Sequence, residues 1–433
     1  MICKNLSRNE RGELCLAGHE LSPLAEKYGT PVYLYDEARI RERCRTYLNA
    51  VNAAFDGRGR VLYASKAACF KRLYEIMREE GMGIDVVSCG EIYTAELAGY
   101  PLGLAYFHSN NKTDADIDYA IDHGIGYFVA DNAEELYAVD RIAGQKGKRQ
   151  KLLLRITPGI DPHTYAAVAT GKVDSKFGSA IETGQALEIV KLALSLENLE
   201  LCGFHCHVGS QVFDSDVYIS AARVMLDFVA EIKRELGYSA KELDIGGGYG
   251  VRYVESQPEI DIAANVAEVG AFMKDYAEKI GIELPEIAFE PGRSIVADSG
   301  LTLYSVGTVK RIPGYKTYVS VDGGMTDNPR FALYGSPYTI LPVCREVDAD
   351  NAMTCSVVGR CCESGDILQE DVLLPADISR GELLACLTTG AYHYSMASNY
   401  NRITKLPVVM LTEKGDYLAV RRESFEHLTS LDV

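Results

Sequence analysis

Lys66 stands where the apolar run of YASKAA (63–68) gives way to small residues. If it ends a barrel strand, the barrel walls enclose its amine. Desolvation then lowers the pKa and makes the amine an imine-forming nucleophile. His205 and His207 lie two apart in GFHCHVGSQ (203–211), so on a strand they face one side. Such a pair can ligate zinc, with Asp85, Asp244 and Glu290 as further candidates, or it can lay one imidazole flat on a cofactor ring. Gly246, Gly247 and Gly248 in LDIGGGYG (243–250) let backbone N–H groups approach an anion closely. Val251 stands where a dinucleotide fingerprint needs glycine, so that motif is excluded. The turn Pro291, Gly292, Arg293 follows Glu290 and, with Ser210, belongs to the same anion cradle. Taken singly, each has an ordinary reading: a surface lysine, a satisfied interior pair, a carboxylate paired with a barrel arginine. Together, an imine-capable amine, a phosphate cradle and a carboxylate match the needs of pyridoxal phosphate. The carboxylate keeps its pyridine nitrogen protonated, making the ring an electron sink.

Three further motifs follow in the last third of the chain: DNPRFALYG (327–335), CCESGD (361–366) and GAYHYSMASNYNR (390–402). Arg330 is suited to grip a carboxylate through two N–H groups. Cys362 beside Glu363 offers a proton donor next to a carboxylate that can bind an amine. Tyr392 lies in a Gly- and Ser-rich turn. Standing alone, these would be a surface arginine, an inert thiol and a core tyrosine.

The elements that must position these residues are legible as short apolar segments. They are VLYAS (61–65), IDVVS (84–88), LAYFHS (104–109), YFVAD (127–131), LLLRITP (152–158), LCGFHCHV (201–208), ELDIGG (242–247) and EIAFEPG (286–292). Helical stretches alternate with them, several opening on an Asp, Asn, Ser or Thr cap. Eight such repeats predict a (β/α)8 barrel over 36–298, in preference to a doubly wound sheet. Strand ends are then where function collects, and the loops after the seventh and eighth strands are where a barrel holds phosphate. Beyond residue 298 the texture turns β-rich, and PVYLYD (31–36) is predicted to join that second domain. The expected division is 36–298 as barrel, and 1–35 with 299–433 as the β-rich domain.

Composition narrows the class. Lys and Arg number 44 against 61 Asp and Glu, a net charge of −17 over 433 residues. Such a surface repels nucleic acid and anionic membranes. The 12 cysteines are scattered and without a CxxC pair, which predicts reduced thiols in a cytoplasmic protein. No apolar run reaches membrane-spanning length, and the first residues lack a signal-peptide core.

The motifs YASKAA, GIDVVSCGEIYTA, FHSNNKT, GFHCHVGSQ, LDIGGGYG, EPGRSIVA, VDGGMTDNPRFALY, GRCCESGD and GAYHYSMASNYN run almost end to end in this order. The chain thereby resembles the alanine-racemase-like (fold type III) pyridoxal-phosphate decarboxylases, and CESGD, EPGR and R-x-A-L-Y lean to the diaminopimelate branch. The resemblance implies that Lys66 carries the cofactor as an imine, His207 stacks on its ring and Glu290 pairs with its pyridine nitrogen. It implies that Ser210, Gly246 to Gly248 and Pro291 to Arg293 hold the phosphate, and that Tyr392 touches cofactor and substrate. Arg293, Arg330 and Tyr334 would bind the substrate's distal carboxylate, Glu363 its distal amino group, and Cys362 would protonate the carbanion. It further implies a homodimer, with Cys362 and Glu363 reaching the partner's site. Ala68, Ser109 and Phe331 depart from the pattern, which usually has Asn, Gly and Pro there.

The expected reaction is decarboxylation of meso-2,6-diaminopimelate to L-lysine and CO2. A decarboxylase of ornithine, lysine or carboxynorspermidine ranks second, because such substrates leave Arg330 and Arg293 unpaired. A metal hydrolase built on His205 and His207 and a non-catalytic binding relative come after it.

Overall fold

Each of the eight apolar segments forms a strand, which we number β1 (Gly59–Ala64), β2 (Gly83–Val86), β3 (Ala105–Phe107), β4 (Tyr127–Ala130), β5 (Gln150–Thr157), β6 (Leu199–His205), β7 (Glu242–Asp244) and β8 (Glu286–Phe289). In the computed structural model, which describes residues 2–160 and 173–433, neighbours in this series pair in parallel. β8 pairs back onto β1 and β4 onto β5, so the sheet closes on itself. Closure removes both edges and buries both faces, which is why these strands read as unbroken apolar runs rather than as alternation.

The connecting helices start where the caps predict. Ser88 Oγ accepts from Glu91 N before Cys89–Leu97, and Thr113 with Asp116 forms a reciprocal capping box before Asp114–Asp122. Asn132, Asp214 and Asp261 cap Ala133–Gln145, Ser215–Leu236 and Ile262–Ile280. Inside the barrel, Leu62, Tyr106, Val129 and Leu153 form one apolar group. Each such burial contributes about 1.5–3 kcal/mol. The N-terminal floor is polar but paired: Arg60 grips both oxygens of Glu286 at 2.7 and 3.1 Å, and Tyr106 OH donates to Glu242 at 2.8 Å. Floor residues in this fold serve stability, so chemistry is sought at the opposite end.

The chain divides into two compact units: Arg43–Gly250 with Glu259–Ser294, and Met1–Glu42 with Val251–Pro258 and Ile295–Val433. These bounds differ from the 36–298 read in the sequence. The segment Val251–Pro258 counts with the β-rich unit, where Tyr253 O accepts from Thr339 Oγ1 at 2.8 Å and the Tyr253 ring meets Tyr338 edge to face.

In the β-rich unit Val32–Asp36 pairs antiparallel with Gly300–Ile312 and parallel with Val408–Thr412, so the N-terminal segment is an interior strand of this sheet. Leu383–Leu387 also pairs with Gly300–Ile312. Val32 and Leu34, Leu301 and Leu303, Ala385 and Leu387, and Val409 and Leu411 share one buried face at a period of two. Leu14, Leu16, Leu21 and Leu24 from the first residues complete that core. All twelve cysteines are free thiols. No helix among the described residues is long and apolar enough to cross a membrane.

Candidate active site

The C-terminal ends of the barrel strands gather a buried acid–imidazole group. Asp85 lies in β2, His108 follows β3, His205 ends β6, Asp244 ends β7 and Glu290 follows β8. All five are buried. Glu290 is the hub: Oε1 accepts from His108 Nε2 at 2.7 Å and Oε2 from His205 Nε2 at 3.0 Å. The two imidazoles meet edge to face with ring centres 4.8 Å apart.

These contacts set the protonation states. Burial alone pushes Glu290 up, but His108 and His205 outweigh it and hold the carboxyl well below the ordinary range. Burial lowers His205 to about 3 despite the pull of Glu290, so its imidazole is neutral. With Nε2–H donating to Glu290, Nδ1 of His205 is the unprotonated nitrogen, an acceptor that meets no donor among the described residues. Burial and the nearby Glu290 raise Asp244 well above its usual value, and burial likewise raises Asp85. The polypeptide therefore favours the charge on Glu290 over one on Asp244 or Asp85.

His108 is the member that sequence reading passed over. It sat in the quoted FHSNNKT, and its position at a strand end was the available signal. The neighbouring Ser109 has φ 147°, a conformation that favours glycine, in keeping with the glycine that the family pattern has there.

Lys66 occupies the turn Ser65–Ala67 after β1 and acts electrostatically on Asp85, Glu91 and His207, which places it at the same mouth. It is exposed, although Ser65 and Ala67 are buried. Lys66 is thus exposed where the sequence reading expected enclosure by the barrel walls. Desolvation, with Lys66 and Arg155 nearby, holds His207 well below its usual pKa, so it too is neutral. The described side chains whose ligand atoms lie close enough to share a metal ion, within 4.8 Å of one another, are His108, His205 and Glu290, not the His205–His207 pair that raised the metal reading. Direct hydrogen bonds within that trio satisfy both carboxylate oxygens without an ion.

The glycine run after β7 is dictated by packing. A Cβ at Gly247 would lie 1.9 Å from Glu290 O, and one at Gly248 2.1 Å from Gly209 O. Ser210 Oγ accepts from Arg293 at 3.2 Å (Nε) and 3.0 Å (Nη2). Gly292 lies against β1, where a Cβ would come within 2.9 Å of Ala64 Cβ. Ser210, the glycines and the Pro291–Arg293 turn are all in the barrel unit.

In the β-rich unit Arg330 opens the short helix Arg330–Tyr334 and is buried. Its guanidinium lies 5.3 Å from the Tyr334 ring centre and 5.2 Å from that of Tyr392. Nε has no hydrogen-bond partner among the described residues, and Nη2 donates to Ser336 Oγ at 3.5 Å. An unpaired buried N–H is costly, so an anion arriving here gains most of its binding from relieving that cost. Tyr392 holds φ 62°, uncommon outside glycine, and strain of this kind is retained where a side chain must be aimed. Its neighbour His393 is buried and contacts Asn328 Oδ1 through Nε2 at 2.9 Å, fixing this turn to the Arg330 segment. Phe331 is half-buried. Cys362 and Glu363 are exposed, and Asn401 Oδ1 accepts from Cys362 N at 2.8 Å.

Residues 37–297 match the family described as pyridoxal-dependent decarboxylase, pyridoxal binding domain. The diaminopimelate decarboxylase of Bacillus subtilis (strain 168) is 42% identical over 427 residues, covering 98% of this chain and 96% of that protein. That of Staphylococcus aureus (strain COL) is 41% identical over 423 residues, covering 97% of each. A crystal structure of the diaminopimelate decarboxylase from M. jannaschii in complex with L-lysine superposes with a TM-score of 0.90 at 32% identity, covering 100% of this chain and 98% of that one. The barrel mouth suits pyridoxal phosphate chemically. It offers an ionised carboxylate, neutral imidazoles, a nearby lysine and a backbone cradle that any Cβ would fill.

Proposed function

This chain belongs to the diaminopimelate decarboxylase family of pyridoxal-dependent decarboxylases, and on that premise we propose that it converts meso-2,6-diaminopimelate to L-lysine and CO2, the last step of lysine biosynthesis. Bound pyridoxal phosphate supplies an electron sink for the pair left behind when CO2 departs. Lys66 would provide the amine that holds the cofactor. Glu290, kept ionised by His108 and His205, holds a proton on the pyridine nitrogen. The neutral His207 would support the cofactor ring without adding a competing charge. Gly246, Gly247, Gly248, Ser210, Pro291, Gly292 and Arg293 hold the phosphate.

Most of the substrate-selecting residues come from the other unit. Arg330, with Tyr334 and Arg293, binds the distal carboxylate; Glu363 binds the distal ammonium; Tyr392 contacts cofactor and substrate. Cys362 Sγ then delivers a proton to the carbon that has lost CO2. The protein works as a cytoplasmic homodimer in which Cys362 and Glu363 serve the partner's site. The observation that carries the reading is the buried Arg330, flanked by Tyr334 and Tyr392 and with Nε unsatisfied. Ornithine and lysine lack the distal carboxylate that would satisfy it, which disfavours the alternative substrates.

The test is a product assay. Purified protein with pyridoxal phosphate receives meso-diaminopimelate, L-ornithine and L-lysine separately, and CO2 is followed. Release from diaminopimelate alone, with L-lysine formed, is the expected result. Release from ornithine or lysine instead would keep the cofactor but overturn the reading of Arg330 and Glu363.

A further inference from the structure

Asp366 closes the CCESGD segment and is buried at 3% exposure. Its two oxygens serve two different stretches of chain. Oδ1 accepts from Met325 N at 2.6 Å, and Oδ2 accepts from Cys361 N at 2.7 Å. Met325 lies in the loop that leads to Arg330, and Cys361 directly precedes Cys362 and Glu363. Two glycines make room for the carboxylate. A Cβ at Gly324 would come within 2.6 Å of Oδ2, and one at Gly359 within 2.2 Å. The backbone ties the same two stretches together, with Arg360 N donating to Gly323 O at 3.0 Å.

Two other clamps in this region each hold one of the two stretches. Asn401 takes the Cys362 amide, and His393 takes Asn328. Arg360 Nη1 reaches across to Asp322 O at 3.5 Å from an exposed position, whereas Asp366 bonds to both stretches from the interior. A carboxylate can do this because both oxygens are acceptors, and its hydrogen bonds to backbone N–H groups are charge-assisted. Burial pushes the Asp366 carboxyl up while the amides of Cys361 and Met325 oppose it, so ionisation depends on keeping both loops in place.

We propose that Asp366 is a positioning residue that ties the Cys362–Glu363 segment to the Arg330 segment, so that one side chain sets the placement of both the proton donor and the distal-carboxylate clamp. The inference rests on the functional reading above and adds to it a residue that touches neither substrate nor cofactor.

Asp366→Asn keeps the shape but replaces one acceptor with an NH2 group that must face a backbone N–H. On meso-diaminopimelate, kcat should fall and KM should rise together, each by about tenfold. Asn401→Ala loosens only the Cys362 amide, so it should lower kcat while KM stays within about twofold. Cofactor content and bound-cofactor absorbance should match wild type in both variants, because the barrel-mouth residues are untouched. This readout separates mispositioned loops from a misfolded chain. An Asp366→Asn protein with kcat and KM both within about twofold of wild type would overturn the inference. So would a loss in proportion to missing cofactor. If Asp366→Asn does not fold, amide exchange in the wild-type protein decides. Met325 and Cys361 should exchange slowly and at one common rate despite lying in loops; fast exchange at either rejects the tether. A wild-type protein that releases no CO2 from diaminopimelate would defeat the functional reading and this inference with it. An active wild type with an unaltered Asp366→Asn variant defeats the tether alone.

Discussion

At the barrel mouth Asp85, His108, His205, Asp244 and Glu290 are buried, whereas Cys362 and Glu363 in the β-rich unit are exposed. The two regions control their chemistry by different means. In the barrel, low solvation makes each proton's position a property of the fold: two imidazoles outweigh burial to keep Glu290 ionised, and burial keeps His205 neutral. In the β-rich unit Cys362 and Glu363 are exposed on the single chain, and what the polypeptide controls is where their backbone lies. Asn401 and His393 provide that control through one hydrogen bond each to a neighbouring loop, and Asp366 through two. Substitutions in the barrel should therefore change what the cofactor can do, and substitutions in the β-rich unit should change which amino acid is accepted and how fast it is protonated.

The largest effect is expected at Lys66. Lys66→Ala should lose on the order of 10^4-fold or more in kcat, as removal of a covalent partner does elsewhere. Borohydride reduction should no longer fix the cofactor to the chain. Retained turnover would remove the barrel from the account. At His108 the expectation is intermediate. His108→Ala leaves Glu290 with His205 alone, and a hydrogen bond to a charged group is worth about 1.5–3 kcal/mol, or roughly 10- to 100-fold in kcat. KM for diaminopimelate should change little, and His108→Gln, which can still donate to Oε1, should recover part of the loss. Equal effects on kcat and KM would mean that this part of the barrel also selects substrate, blurring the contrast. The smallest effect is expected at Ser109. Relieving its φ of 147° with Ser109→Gly should stabilise the barrel by about 1 kcal/mol, which raises Tm by roughly 2–4 °C, with kcat unchanged. A fall in Tm would show that the Ser109 hydroxyl, which accepts from Asn111 N at 3.2 Å, outweighs the backbone cost.

Much of this was legible in the residues. The eight apolar segments mark all the barrel strands, because a parallel closed sheet must be apolar on both faces. The strand ends then point to Lys66, His205, Asp244 and Glu290. What was not legible depends on proximity that only folding creates. His108 and Glu290 are 182 positions apart, and nothing in FHSNNKT says that its imidazole reaches that carboxylate. The exposure of Lys66 was missed because a strand-end position was taken to imply enclosure. The segment Val251–Pro258 follows the glycine run without a break in composition, yet its packing on Thr339 and Tyr338 sets it with the β-rich unit. Asp366 was read only as the last letter of a motif, because a tether is invisible until both of its amides are in place.

The contrast between the two regions is tested most directly by the substrate preference of Arg330→Ala. Wild type and variant would be compared on meso-diaminopimelate and on L-ornithine by kcat/KM, with cofactor absorbance recorded for both. Truncating one partner of a buried charge pair costs about 2–5 kcal/mol, so kcat/KM for diaminopimelate should fall by roughly 30-fold or more. For ornithine, which has no distal carboxylate to lose, it should stay level or rise, and the cofactor spectrum should not change. A parallel fall on both substrates, or an altered spectrum, would contradict the assignment of selection to the β-rich unit and of cofactor chemistry to the barrel.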